Sequence, residues 1–581
     1  MPLIPFGEYR PDAADYEGQH SRNILNAVPH ADGYGPWLDF KAVTSALPAA
    51  CRGGFYALKN DGSIAVFAGT STDLYVLNNT NSTWNNISSS GGYTALASNR
   101  NWSFAQFNSD VIAVQGNAVP QVYDLTSSST FTPLGGSPPQ ADYVSVVNRF
   151  LVLSGLASPN VYRVQWSGLN AITTWDNVTA DSNFQDMADG GLVRGVVGGD
   201  IGTIFQDQSI RQMIFQPGSS LIFGIDRITA NDGLLASYSV ISAGSRIFWL
   251  SPTGFKMMIP GLLPQPIGKE RVDRTFLADL DQSNLQLMIG TADPRFPRVY
   301  WAYKSVNGPT GLFDKILTYD WVLDRWSLLE VSGEYIAPIA QPGLTLECVD
   351  AAYGLTGTWL NLSSISSAHP AVVTFGGNAP ANGVGIQFNG SSGTLPAPFV
   401  AETTYYILNS PGGTSTCNLT TSGGVGAFVG TAINTNSSSH GQLQYQQISI
   451  DNLSVATFDT IAVGQLPSLG MFDHTHAQGY FNSTPIEATL ETSEHGAAPR
   501  RIFIRGFRPI TDAPGCFGSL STRENEQTTP AYTSEQKVNA QGLVPQRKST
   551  RYARGHVRIP AATTWTFASG VEPDISLEGQ R

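Results

Sequence analysis

Charge is scarce in this sequence. Asp, Glu, Lys and Arg make up 13% of its 581 residues, about half the roughly 25% of an average soluble chain. Long runs of the strong helix formers Ala, Leu, Glu and Lys are also missing, which argues against a helical framework. No uninterrupted apolar run approaches the roughly 20 residues that a membrane-crossing helix needs. The opening Met1–Arg10 has neither a basic start nor an apolar stretch, so no secretion signal is read and folding in a cytoplasm is expected. Asn-x-Ser/Thr triplets such as Asn81-Ser82-Thr83 are then composition and not glycan acceptors. Cysteine is reduced to Cys51, Cys348, Cys417 and Cys516. No pair has CxxC or Cys–His spacing, so the four are read as buried or incidental thiols. Neither a cofactor nor a metal is expected.

Turn residues fill the gap that charge leaves. The chain holds 59 Gly and 35 Pro, with many Ser, Thr and Asn, beside 41% hydrophobic residues. Gly and Asn tolerate positive φ and Pro presets turn positions, so this balance suits short strands joined by tight turns. An all-β fold is expected, and 581 residues allow two or three β domains.

One pattern recurs along the first half. Strand-like stretches run Gly62–Thr70 and Asp73–Leu77; Trp102–Phe107, Asp110–Val114 and Gln121–Leu125; Tyr143–Val147, Arg149–Leu153 and Val161–Trp166. They continue as Val193–Val197, Ile201–Gln206 and Ile210–Phe215; Tyr238–Ile241, Arg246–Leu250 and Gly254–Met258; Arg298–Tyr303, Lys315–Asp320 and Arg325–Leu328. The landmarks Tyr75, Tyr123, Tyr162, Met213, Phe255 and Tyr319 are 48, 39, 51, 42 and 64 positions apart. Those gaps sit near the roughly 40–50 residues of one four-stranded propeller blade. A blade cannot bury its faces alone, so several pack radially. The expectation is a β-propeller of six or seven blades; a run of β-sandwiches is the rival.

Composition marks the other boundaries. An arm covers 1–50 and the propeller's first part 51–363. The nearly uncharged, Gly/Ser/Thr-rich stretch 364–447 is expected to be an inserted Ig-like β-sandwich. The propeller is expected to return over 448–485, near Ile448–Ile450 and Thr457–Val463, and a basic β-rich region to fill 486–581. Between Ala497 and Pro560 eleven Lys and Arg face four Asp and Glu, although the whole chain carries −12. Arg500, Arg501, Arg505 and Arg508, with Arg547, Lys548, Arg551, Arg554 and Arg558, are the candidate docking face for an acidic partner or DNA phosphates. A solvated surface is the competing reading.

Catalytic patterns find little support. Ser167–Trp175 lacks the Asp and Gly of a sialidase Asp-box. Asp186, Asp189 and Asp200 are acids that nothing in the sequence pairs, whereas glycoside cleavage needs two carboxylates roughly 5–9.5 Å apart. His474 and His476 would share one face of a strand, yet no third metal ligand is local; a surface loop is the expected setting. Gly190–Gly199 lacks the Gly-Lys-Ser/Thr of a phosphate loop. No enzyme activity is expected.

An order of phrases then points to a family. Asn23–Asn26, Pro29, Gly33–Trp37, Gly53–Ala57, Phe67–Thr70, Gly92–Thr94, Trp102–Phe104, Gln121–Leu125 and Val164–Ser167, with the ending Arg558–Pro560 and Thr564–Thr566, resemble the tail hub (nozzle), or packaged-DNA stabilisation, proteins of short-tailed bacteriophages. The resemblance spans most of the chain outside 364–447. It implies a structural protein of the virion tail, six copies forming a ring below the portal–adaptor ring. The ring would retain packaged DNA, conduct it without sequence specificity at ejection, and anchor tail spikes, fibres or a tip protein. A glycan-binding tail propeller is the alternative, and a glycan hydrolase the more distant one.

Overall fold

The computed structural model describes residues 3–14, 18–60, 62–78, 81–340, 359–390, 393–410, 414–421, 432–435, 437–439, 443–448, 467–496 and 500–577. These are nearly all β, as the composition led us to expect. The chain divides into two compact units: Met1–Asn78, Ser82–Gln341 and Leu466–Arg581 in one, Asn79–Asn81 and Pro342–Gln465 in the other.

The first unit is built on four-stranded antiparallel meanders that follow one another along the chain. Sheet 1 holds Gly54–Leu58, Ile64–Gly69, Leu74–Asn78 and Thr83–Asn86. Sheets 2 to 5 begin at Ser103, Ala141, Val193 and Ile241 and follow the same in-order path. Sheet 6 runs Ile289–Ala292, Arg298–Tyr303, Lys315–Asp320 and Arg325–Leu329. Tight hairpins make the meanders possible: Asn108 and Asn148 take φ of 53° and 56° between paired strands, a conformation Asn tolerates better than most residues.

Sheet 7 is assembled from distant segments. Tyr335–Ile339 pairs with Ser468–Phe472, which pairs with Ala477–Pro485, and the N-terminal Leu38–Ala46 supplies the outer strand. Separate apolar cores weld each sheet to the next. Phe67 and Leu74 of sheet 1 meet Val111 and Ala113 of sheet 2, and Phe205 and Ile210 of sheet 4 meet Ile247 and Trp249 of sheet 5. Ala337, Ile339 and Phe472 of sheet 7 meet Val66, Ala68 and Tyr75 of sheet 1, so the succession of cores returns to its start. Gly69 illustrates the closeness of this packing, because a Cβ there would lie 2.4 Å from the Trp102 ring.

The region 486–581 is not separate from this framework. The outer strand of sheet 6 pairs in parallel with Ile24–Leu25, and the ladder continues through Ala488–Glu491, Tyr552–Ile559 and Phe517–Arg523. A second sheet of Val544–Thr550, Ile502–Thr511, Ala568–Leu577, Gly33–Pro36 and Ala27–His30 faces it. One core, including Trp301 and Trp326 of sheet 6 with Phe507, Leu520 and Val571, runs through both.

In the second unit the strands Leu360–Ile365, Val373–Phe375, Thr416–Thr420, Tyr405–Leu408, Gly385–Phe388 and Leu443–Ile448 close into a barrel. The sequence had pointed to an Ig-like sandwich. Leu360–Ile365 and Leu443–Ile448 pair with each other, which closes the sheet upon itself and leaves no free edge. The Thr457–Val463 strand expected after it lies outside the described residues, and sheet 7 resumes at Ser468.

Ile339 is the register partner of Ser468, so the chain leaves and re-enters sheet 7 at one point. Replacing Pro342–Gln465 by a short Gly-rich turn is therefore expected to give a folded first unit whose thermal midpoint shifts by no more than a few degrees, because loop length costs little entropy. Differential scanning calorimetry checks this; insoluble protein would contradict it.

Candidate functional site

The first strands of the seven sheets converge. The starts of all of them line one cavity of about 340 Å³. Its wall takes Gly54 and Phe55 from sheet 1, Ser103 and Phe104 from sheet 2, Tyr143 and Val144 from sheet 3. Arg194 to Val197 come from sheet 4, Ser242 from sheet 5, Gly290 from sheet 6 and Tyr335 from sheet 7; the segment before sheet 5 adds Ser237 and Tyr238.

Aromatic rings form one side. Phe55 and Phe104 stack with centroids 5.8 Å apart and planes 10° apart. Tyr143 and Tyr238 are tilted at 5.7 Å. The Tyr238 hydroxyl accepts from the Asn101 N–H at 2.7 Å. Burial holds the phenols of Tyr143 and Tyr238 above their ordinary range, so both stay protonated. Arg52 pins the adjoining loop, donating to the Asn101 side chain at 3.0 Å and to the Ser98 carbonyl at 3.0 Å.

Arg194 is the one charged residue among those lining the cavity, and the charges beside that wall are paired. Arg194 donates its Nε to Asp207 at 2.6 Å and keeps an exposed side chain. Arg100 lies 3.1 Å from Asp142, whose carboxyl is pushed up by burial against the pull of Arg100. The acids singled out in the sequence lie elsewhere. Asp186 is held by Arg163, Asp189 bridges Arg211 and Arg227, and neither they nor Asp200 line the cavity.

The nine basic residues do not form one face. Arg501 forks onto Glu524 with two bonds of 2.8 Å. Arg558 forks onto Glu535, reaches Glu487 at 2.8 Å and lies over the Phe517 ring. Arg554 is buried beside Glu494, and Arg551 is half-buried. Arg505 lies 3.8 Å from Asp574. Arg500, Arg508, Arg547 and Lys548 are exposed, the last two on Val544–Thr550, the edge strand of its sheet. Exposed cations on an edge strand discourage pairing with another chain. Arg501, Arg554 and Arg558 are thus withdrawn from the docking face because local carboxylates neutralise them.

His474 and His476 fall in the turn between Ser468–Phe472 and Ala477–Pro485. The His476 Nδ1 meets the buried Glu334 carboxylate at 2.6 Å, and the other Glu334 oxygen accepts from the Cys51 N–H at 2.8 Å. This clasp joins sheet 7 to the entry of sheet 1. Burial raises the Glu334 carboxyl above its usual range. Among the described residues no group of three or more His, Cys, Asp or Glu could hold a metal ion, and no helix is long and apolar enough to cross a membrane. Cys51, Cys417 and Cys516 are buried free thiols; Cys348 lies outside the described residues.

The opposite end of the sheets carries several exposed apolar residues. Because the strands of each meander alternate, the first-to-second and third-to-fourth connections lie away from the cavity. Val178, Leu221, Ile259, Leu262, Leu263 and Val322 stand exposed on third-to-fourth connections of sheets 3 to 6, and Phe296 on a first-to-second one.

No family model matches this chain, and no curated protein matches it in sequence. Among solved structures it is similar to a functionally unknown protein from Desulfotomaculum acetoxidans, at 12% identity and a TM-score of 0.29, covering 48% of this chain and 84% of that one. It is also similar to BamB from Moraxella catarrhalis, at 10% identity and a TM-score of 0.29, covering 54% of this chain and 88% of that one.

Proposed function

We propose that the chain is a structural subunit of a short-tailed phage tail, a hub or nozzle protein built on a seven-bladed propeller. The six meanders and the sheet closed by Leu38–Ala46 are the blades, and the six-stranded barrel is an insertion within the seventh. The opening and the ending that resemble the nozzle family lie on either side of one strand: Leu25 pairs with Thr489, and Thr489 pairs with Arg558.

The observation that carries the reading is the apolar rim of sheets 3 to 6. Exposed apolar surface gathered on one side marks a contact with another molecule, and third-to-fourth loops of four successive blades carry such residues. The neighbouring tail subunit seats there. DNA does not pass along the propeller axis, where side chains such as Phe55, Phe104, Tyr143 and Tyr238 leave a cavity of only about 340 Å³. The duplex runs through the tube that the copies surround. Six copies at −12 each carry about −72, and an acidic lining lets a polyanion slide.

Leu262 and Leu263 are 57% and 69% exposed, so Leu262→Asp with Leu263→Asp leaves folding intact. The double variant is expected to weaken assembly at least about tenfold by mass photometry, the scale of a lost interface anchor. Assembly equal to that of the parent chain would overturn the rim as the seat.

A further inference from the structure

We infer that the axial cavity binds one acidic sugar residue. Its volume of about 340 Å³ lies at the small end of the roughly 300–1,000 Å³ typical of ligand pockets, enough for one pyranose ring. Phe55, Phe104, Tyr143 and Tyr238 sit at the centre of the framework yet are only partly buried, because their accessible surface faces this space. Such rings cover the apolar face of a sugar.

The rest of the wall suits the hydroxyls. Each lining strand is the edge of its sheet, and an edge strand presents unpaired N–H and C=O groups along one side. Ser237 and the exposed Ser242 add hydroxyls. A polyol offers donors and acceptors all around its rim to match them. A flat aromatic acid offers them at one end only and leaves the remaining backbone groups unmatched, at a cost in affinity.

Arg194 sets the charge of the ligand. Its Nε is engaged by Asp207, while its terminal nitrogens remain on an exposed side chain in the cavity wall. A guanidinium fork of this kind pairs with a carboxylate through two parallel bonds. Arg194 alone among the residues that line the cavity carries a charge. An anion is therefore favoured over a neutral sugar.

The test is calorimetric titration of the full-length protein with D-glucuronate, D-glucose and benzoate. Glucuronate is expected to bind at least about tenfold more tightly than either control, with Arg194→Ala bringing it to the level of glucose. Unchanged circular dichroism and melting of Arg194→Ala separate loss of the site from loss of the fold, and Arg194→Lys is expected to restore binding only in part. A glucuronate-terminated trisaccharide decides the source: affinity at or above that of the monosaccharide assigns the site to a glycan end, and much weaker affinity assigns it to the free acid. No heat with either glucuronate probe at about 20 mM, tighter binding of benzoate, or glucuronate affinity unaltered by Arg194→Ala would overturn the inference. Ring assembly is read independently of all these outcomes.

Discussion

A chain lacking residues 1–46 is expected to give no soluble, cooperatively melting protein. The N-terminal segment is not an arm laid on a finished fold. Leu38–Ala46 is the outer strand of sheet 7, Ile24–Leu25 bridges Arg325–Leu329 to Ala488–Glu491, and the Ala27–His30/Gly33–Pro36 hairpin extends the second sandwich sheet. Ile24, Ala27, Val28, Tyr34 and Trp37 are all buried. Asn26 donates its side-chain amide to the Glu487 carbonyl at 2.9 Å and accepts from the Glu330 N–H at 2.8 Å. Asp12 accepts from the N–H groups of Arg274 and Thr275 in the first turn of the helix Asp273–Asp279. Loss of a single large core side chain costs about 2–5 kcal/mol, and whole domains are stable by only about 5–15 kcal/mol. Removing several at once, with seven strands' backbone bonds, exceeds that margin. Size-exclusion chromatography and calorimetry of the truncated chain check this. A monodisperse product with a sharp transition would contradict the closure of sheet 7.

The second large effect concerns charge buried in the region 486–581. Arg523 and Glu494 each keep only 7% of their side-chain surface exposed, and Arg523 donates its Nε to Glu494 at 2.8 Å and a terminal nitrogen to the other oxygen. Arg554 lies 3.8 Å from the same carboxylate. Arg523→Ala leaves a buried carboxylate with its main partner gone and is expected to cost about 3–5 kcal/mol. Exchanging both partners for apolar residues, Glu494→Leu with Arg523→Met, is expected to cost less than the single change, because the carboxylate and its main partner leave together. Urea midpoints measure both. A single variant within about 1 kcal/mol of the parent would contradict the burial of this pair. For the same reason Arg554 is unsuitable as a docking residue: reversing its charge would place two carboxylates together in the interior.

What could be read from the sequence follows the range of the interactions. The first three strands of sheets 2 to 4, the second and third of sheet 5 and the last three of sheet 6 were legible because they are apolar runs joined by local hairpins. By contrast, Ile289–Ala292 went unread, and Tyr238, expected in a strand, lies in the turn Ser237–Ser239. The fourth strands of sheets 2 to 5 were not: in sheets 2 and 5 Thr132–Pro133 and Gln265–Pro266 are two residues long and exposed, and carry no periodicity. The gap of 64 between Phe255 and Tyr319 arises where the helix Asp273–Asp279 and the turn Gln282–Leu287 intervene between sheets 5 and 6. Sheet 7 could not be recognised locally, since its strands come from residues 38–46, 335–339 and 468–485. Alternation in the insert showed strands but not closure, which depends on the pairing of Leu360–Ile365 with Leu443–Ile448. The basic positions were visible, but their partners Glu487, Glu524 and Glu535 are 23 to 71 residues away. The cavity escaped notice because seven separate strand starts each contribute only one or a few residues. Its one faint signal was the aromatic or hydroxyl residue at the head of several repeats, as at Phe55, Ser103 and Tyr143.

The most direct measurement is electron microscopy, with mass photometry, of the purified full-length protein alone and mixed with a portal–adaptor complex of a short-tailed phage. The account predicts a closed sixfold ring that seats on the adaptor, with the propellers around an open lumen. A stable monomer that ignores the adaptor would contradict it.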